Sequence, residues 1–187
     1  LSLHAGHVPD ARHGSRAVPI HQTTSYVFQD TEHAAALYNQ ELGGHLYTRI
    51  SNPTVAVLEQ RLAALEGAVA STATASGMAA LATTLMIICS QGDHIVSSSR
   101  MYGANINLLE NTLPRFGIDT SFVDPSDLER IKNAIQPNTK LIFSEVIGNP
   151  GLDIMDVEAV SKIASSAGIP LILDCTFNTP WLLKPVE

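Results

Sequence analysis

Apolar and polar positions alternate in blocks along most of the chain. From residue 69 onward, short apolar segments are followed by longer segments with apolar residues every three to four positions. This pattern predicts strands at 69–73, 94–98, 118–123, 141–146 and 170–174, and helices at 77–88, 104–113, 126–135 and 156–167. Such alternation favours an α/β fold with a mainly parallel sheet and helices on both faces.

The first part of the chain follows a different pattern. Residues 1–30 are rich in His, Pro, Gly and Thr and show neither helical nor strand periodicity, which predicts an extended N-terminal arm. A short helix is expected at 32–38. We therefore divide the chain into residues 1–50, an arm and short helix suited to contacts between subunits, and residues 51–187, the larger domain.

The segment after residue 50 contains the start and stop signals of a further helix. Asn52 and Pro53 provide an N-cap and a first-turn proline, and Gly67 provides a stop. Four apolar positions between these signals share one helical face, namely Val55, Leu58, Leu62 and Leu65.

Composition excludes several classes of protein. With 187 residues, 45% of them hydrophobic, the chain is long enough to bury a core. A net charge of -7 with 11 scattered Lys and Arg residues argues against a nucleic-acid partner. The longest apolar run, at 85–89, is too short to cross a membrane. Cys89 and Cys175 match neither a disulfide framework nor a metal site, so we expect a reducing, cytoplasmic setting and no metal.

Ligands of open parallel sheets bind beyond the carboxyl ends of the strands, and four predicted strand ends have unusual residues. Small residues at 74–80 begin a helix, leaving backbone N–H groups and the Ser76 hydroxyl for a phosphate. Tyr102 offers a ring for stacking on a flat cofactor, and Asn149 offers an amide. Each of these has an ordinary alternative: tight packing at the turn, a packed tyrosine, and a simple loop.

The fourth strand end is Asp174, which follows the apolar residues 171–173. We expect those residues to be buried, and a buried carboxylate needs a cationic or hydrogen-bonding partner. A protonated pyridine nitrogen would satisfy it, and the ion pair would strengthen the ring as an electron sink. A helix N-cap is the competing explanation.

Taken together, these segments resemble the Cys/Met metabolism family of pyridoxal-phosphate (PLP) enzymes, and the resemblance covers essentially the whole chain. The motifs that carry it are His4-Ala5-Gly6, Ala17-Val18-Pro19-Ile20, Tyr47-Thr48-Arg49-Ile50-Ser51-Asn52-Pro53-Thr54, Leu65-Glu66-Gly67 and Ala75-Ser76-Gly77-Met78. The subgroup that it resembles most is the O-acetylhomoserine sulfhydrylases, through Gln22-Thr23-Thr24-Ser25-Tyr26, residues 113–118 and Ile147-Gly148-Asn149-Pro150. The implied fold is that of PLP-dependent transferases of fold type I, with a seven-stranded type of sheet.

The resemblance implies roles for individual residues. Tyr47 and Arg49 would reach the cofactor phosphate of a neighbouring subunit, where arginine can bind bidentately. The phosphate of the chain's own cofactor would be held by Ser76, Gly77 and Met78.

For the cofactor ring, the resemblance implies that Tyr102 stacks on one face and Thr176 supports the other. Asp174 would pair with the ring nitrogen, Asn149 would lie near the phenolic oxygen, and Glu145 would support the site from behind. Tyr102 and Asp174 are the expected catalytic residues of this chain.

The chain departs from the family pattern at two positions near the expected site. His21 replaces a usual tyrosine, and Cys175 replaces the asparagine that usually follows the aspartate. We interpret Cys175 as a small packing residue, whereas His21 either tunes substrate choice or packs. None of Lys132, Lys140, Lys162 and Lys184 fits the role of the family's Schiff-base lysine. The resemblance implies that this lysine, and the arginine for the substrate carboxylate, lie beyond Glu187.

The implied activity is γ-replacement on O-acetyl-L-homoserine, in which a sulfur nucleophile displaces acetate to give homocysteine or methionine. Alternatives left open are amine or carbon nucleophiles, cystathionine γ-synthase or γ-lyase chemistry, and an inactive paralogue that serves as an interaction module. A nicotinamide-binding domain is excluded because the glycine fingerprint is absent. If Tyr47 and Arg49 serve a neighbour, the protein is at least a homodimer, and a homotetramer is usual for the family.

Overall fold

The computed structural model describes residues 1–186, and Glu187, the last residue of the predicted domain 51–187, lies outside them. The chain forms two compact units, residues 1–73 with Val186, and residues 74–185. The division at residue 50 concerns the organisation of the whole protein and stays a prediction.

The first unit contains two helices, α1 (Thr31–Tyr38) and α2 (Pro53–Glu66). Each begins where a side chain, that of Asp30 or Asn52, accepts a hydrogen bond from a first-turn N–H group. Gly67 ends α2 with a φ of 73°, a left-handed conformation that glycine adopts without steric cost. Ala63 is buried, whereas the apolar side chains on the predicted face of α2 are only partly covered, with Leu58 49% exposed.

The second unit is an α/β structure whose four strands are all parallel, in the order β2-β1-β3-β4. The predicted α/β fold with a parallel sheet is therefore confirmed. The strands are β1 (His94–Ser98), β2 (Asp119–Val123), β3 (Thr139–Glu145) and β4 (Leu171–Asp174), and the helices are α3 (Gly77–Ile88), α4 (Gly103–Asn107), α5 (Leu128–Ala134) and α6 (Val157–Ser166).

Both faces of the sheet are covered, because successive side chains of β1 and β3 point to opposite faces. Ile95 and Phe143 join one buried cluster with α3 and the segment 103–116. Val96 and Ile142 join the other cluster with α5 and α6. Burial on both faces is the reason that apolar residues occupy successive positions in the middle of these strands, at 95–96 in β1 and 141–143 in β3. No helix within residues 1–186 is long and apolar enough to span a bilayer.

Two predictions about secondary structure were wrong. Residues 69–73 form no strand, and the Glu59 side chain instead accepts a hydrogen bond from the Ala73 N–H at 2.9 Å. The helix predicted at 104–113 is α-helical only to Asn107 and continues as a π-helical turn and then a 3-10 turn that ends at Phe116. Pro114 has no N–H group to donate, so the α-helical hydrogen-bond ladder cannot run through it.

A buried histidine lies at the amino end of β1. His94 is 2% exposed, with Nδ1 2.8 Å from Thr139 Oγ1 and Nε2 2.9 Å from Ser121 Oγ. Burial lowers its pKa, and the charge of Asp119 opposes that shift. The folded protein therefore favours the neutral form of this histidine more than the unfolded chain does.

We expect the depressed pKa of His94 to make stability pH-dependent. The unfolded chain binds a proton more readily here, so stability is present above the ordinary histidine pKa of about 6.5 and is lost as the pH falls below it. In the full-length protein, His94→Gln should lose less unfolding free energy than wild type between about pH 7.5 and 5.5. The exposed His4→Gln is the control, and equal pH slopes in all three proteins would contradict the assignment.

Candidate functional site

The second unit has a cavity of about 370 Å³ at the carboxyl ends of β3 and β4. This is the end of a parallel sheet at which ligands bind, and the volume suits a small molecule. The residues that line it are Ser76, Gly77, Met78, Tyr102, Asn105, Glu145, Ile147, Asn149, Asp174, Thr176 and Phe177.

The amino terminus of α3 forms one part of the cavity. Ser76 is its N-cap, with a side-chain oxygen that accepts a hydrogen bond from the Ala79 N–H at 3.1 Å. The N–H groups of Gly77 and Met78 are in the first turn, where an α-helix offers them no acceptor. These donors and the positive end of the helix dipole suit an anion such as a phosphate.

Glu145, the last residue of β3, fixes the backbone of another part of the cavity. Its Oε1 accepts hydrogen bonds from the Tyr102 N–H at 2.8 Å and from Asn105 Nδ2 at 2.9 Å. Glu145 is 7% exposed, and burial is the largest cause of its raised pKa, to which the charge of Asp174 adds. The hydrogen bonds from Tyr102 and Asn105 act in the opposite direction.

Asp174 stands beside Glu145, because the register of β3 and β4 pairs these two residues. The two carboxylate oxygens of Asp174 have different surroundings. Oδ1 accepts hydrogen bonds from the Thr176 N–H at 2.9 Å and from the Thr176 hydroxyl at 2.5 Å. Oδ2 has a longer contact, 3.5 Å, with Asn105 Nδ2. The strand before it, predicted to be buried, is only partly buried.

The loop that carries Asn149 is held against the end of β1. Arg100 binds Asp153 at 2.6 Å and Asp124 at 2.5 Å, and so connects the loop to the segment after β2. Gly148 is buried, and a Cβ atom added to it would lie 2.6 Å from the backbone oxygen of Arg100. Since the ion pairs are partly exposed, we regard their role as geometric more than energetic.

Tyr47 and Arg49 belong to the first unit. The Arg49 guanidinium lies 5.7 Å from the centre of the Tyr47 ring, and Tyr47 is 44% exposed. The segment is fixed by backbone pairing of Tyr47 with Ser25 and by Asn52, which donates to Thr48 Oγ1 at 3.2 Å. A tyrosine and an arginine are thus presented together on an ordered segment.

Seven of the nine predicted cofactor residues line one cavity: Ser76, Gly77, Met78, Tyr102, Asn149, Asp174 and Thr176. Three further residues line the cavity that were not predicted from the sequence, namely Asn105, Ile147 and Phe177. The sequence signal for Asn105 was only its closeness along the chain to Tyr102, the residue that precedes α4. Cys175 is half-buried and follows Asp174 without lining the cavity.

Comparison with known proteins identifies the family. A family model described as Cys/Met metabolism PLP-dependent enzyme matches residues 1–187. The chain belongs to this family. It is 49% identical over its whole length to an O-acetyl-L-homoserine sulfhydrylase of Leptospira meyeri, covering 42% of that protein. It is 45% identical over its whole length to a homocysteine synthase of Schizosaccharomyces pombe, covering 44% of that protein.

A solved structure agrees with this assignment. The protein, assigned as an O-acetylhomoserine (thiol)-lyase from Campylobacter jejuni, contains N'-pyridoxyl-lysine-5'-monophosphate and matches with a TM-score of 0.94 and 40% identity. The match covers 99% of this chain and 45% of that one, so this member of the Cys/Met metabolism family spans less than half the length of these relatives. The donor set of the cavity fits PLP, since free N–H groups suit its phosphate and a carboxylate suits its ring nitrogen. Within residues 1–186, no three His, Cys, Asp or Glu side chains are grouped to hold a metal.

The close approach of Gly148 to Arg100 gives a testable prediction. Gly148→Ala in the full-length protein should displace the loop that carries Asn149, because the added Cβ clashes with a backbone oxygen. We expect a loss of about 1–3 kcal/mol in the free energy of unfolding, together with weaker PLP retention. Gly43→Ala is the control, since an added Cβ there meets no atom within 4 Å. Unfolding free energies equal to wild type in both variants would refute the argument.

Proposed function

We propose that the full-length protein catalyses PLP-dependent γ-replacement on O-acetyl-L-homoserine. A sulfur nucleophile displaces acetate, giving homocysteine from sulfide or methionine from methanethiol. The identities of 49% and 45% to a sulfhydrylase and a homocysteine synthase support this choice of substrate. Because the chain spans less than half of these relatives, the proposal concerns the whole protein.

The observation that carries the proposal is the hydrogen bonding of Asp174. Thr176 saturates Oδ1 and fixes the plane of the carboxylate, which leaves Oδ2 for a further donor in the cavity. A carboxylate held in this way suits a protonated pyridine nitrogen. When bound, PLP supplies an electron sink for the carbanions of the substrate. Asp174 would pair with the ring nitrogen and so support that capacity.

Other residues of the cavity bind and orient the cofactor. Gly77 and Met78 would donate their backbone N–H groups to the phosphate, and Ser76 would add its hydroxyl. Tyr102, whose backbone is fixed by the 2.8 Å hydrogen bond to Glu145, would stack on the ring. Thr176 would support the ring from the other side, and Asn149 would bind near the phenolic oxygen.

The nucleophile is tested with purified full-length protein and O-acetyl-L-homoserine. We expect the absorbance band of bound PLP to change on addition of this substrate, and homocysteine to form only when sulfide is present. Homocysteine is quantified by mass spectrometry, with Asp119→Asn, an exposed charge change away from the cavity, as the control. A spectral change without homocysteine would point to γ-elimination or to an amine or carbon nucleophile. A missing PLP band would favour the inactive interaction module.

The proposal includes a homodimer in which Tyr47 and Arg49 bind the phosphate of the neighbour's cofactor. The exposed Tyr47 ring and its contact with Arg49 support this, because both side chains are presented on a segment that hydrogen bonds fix. Arginine also binds phosphate bidentately. Each monomer would then hold an incomplete set of cofactor residues, and a homotetramer would pair two such dimers.

Co-expression of two inactive variants tests the shared site. Arg49→Ala and Asp174→Ala should each be nearly inactive alone, whereas mixed dimers recover one intact site. With random pairing, about half of the dimers are mixed, and each of these has one of its two sites intact. We therefore expect about a quarter of wild-type activity. If Arg49 served the cofactor of its own subunit, both sites of a mixed dimer would be defective and no activity would return. Co-expression of Arg12→Ala, an exposed arginine of the same unit, with wild type controls for dosage.

A further inference from the structure

Asn105 is a buried amide at the cavity for which the proposed function has no role. It is 2% exposed, lies in α4, and lines the cavity close to two acidic residues. Its backbone N–H donates to the Tyr102 carbonyl at 2.9 Å, which fixes the start of the helix. The side-chain amide is not needed for that bond, so its position calls for a separate explanation.

One nitrogen of Asn105 faces both carboxylates. Nδ2 is 2.9 Å from Glu145 Oε1 and 3.5 Å from Asp174 Oδ2. An amide NH₂ group has two hydrogens, so the two carboxylates can be addressed at once. The oxygen that it approaches on Asp174 is Oδ2, the oxygen that Thr176 leaves free.

Two carboxylates placed side by side interact unfavourably. The register pairs Glu145 with Asp174, and the charge of Asp174 contributes to the raised pKa of Glu145. Without a donor between them, the two carboxylates repel each other and turn apart. A turn of the Asp174 carboxylate would move Oδ2 out of the position in which it can meet a ligand in the cavity.

We infer that Asn105 is a positioning residue that bridges Glu145 and Asp174 and keeps Oδ2 of Asp174 aimed into the cavity. The inference rests on the proposed role of Asp174 toward PLP. Asn105 does not act on the cofactor directly. It acts through the carboxylates, and its effect therefore depends on the charge of Glu145.

This dependence on Glu145 distinguishes positioning from a merely structural role. Asn105→Leu keeps a similar volume and removes the donor, so the apoenzyme of the full-length variant should bind PLP about tenfold more weakly than wild type. Glu145→Gln removes the second charge. In the double variant, PLP affinity should return most of the way to that of Glu145→Gln alone, because no second carboxylate remains to be separated.

The experiment is a double-mutant cycle of PLP dissociation constants, measured by fluorescence titration of the four apoenzymes. Asn107→Leu, an exposed residue of the same helix, should bind PLP as wild type does. Should the leucine distort α4, Asn105→Ala repeats the cycle with the donor removed and no added bulk.

Additive losses in the cycle, or unchanged PLP affinity in the Asn105 variants, would overturn the inference. PLP binding is measured without substrate or nucleophile. The result of the cycle therefore does not depend on whether sulfide is the nucleophile. Failure of the wild-type apoenzyme to bind PLP would overturn the proposed function, and this inference with it.

Discussion

The structure depends on the parallel pairing of β3 with β1 on one side and β4 on the other. Parallel strands bring their carboxyl ends to one edge of the sheet, and the register here sets Glu145 directly beside Asp174. Burial of β1 and β3 between two helical layers makes that register rigid, since a slip of one residue would exchange the side chains of the two cores. The acidic pair is thus a consequence of how the sheet is assembled.

Much of the second unit could be predicted from the sequence, because its signals are local. Ser76 and Gly77 start α3 at the predicted position, and the apolar segments at 94–98 and 171–174 form strands as expected. The segment 69–73 also has strand character but is held by a side chain of α2. Strand propensity becomes a strand only when a neighbour pairs with it, and a linear pattern does not contain that information.

The residues of the candidate site also fall into two groups, those that can be predicted from the sequence and those that cannot. Residues at strand ends and helix starts, such as Asp174 and Ser76, can be found from the sequence because topology places such positions at the ligand-binding edge. Asn105 could not be found by that rule, since its importance comes from contacts with residues 40 and 69 positions away. The Asn105 amide can contact Glu145 and Asp174 together only because β3 and β4 are paired.

The buried His94 lies at the amino end of β1, whereas the cavity lies at the carboxyl ends of β3 and β4. The sheet therefore separates two polar networks by the length of its strands, with apolar layers between them. At the amino end, burial favours the neutral form of His94, and both of its ring nitrogens have hydrogen-bond partners. At the carboxyl end, Oδ2 of Asp174 can accept a further hydrogen bond from a ligand. Evolution or engineering can accordingly adjust the acid tolerance of this fold at one edge while leaving its chemistry at the opposite edge unchanged.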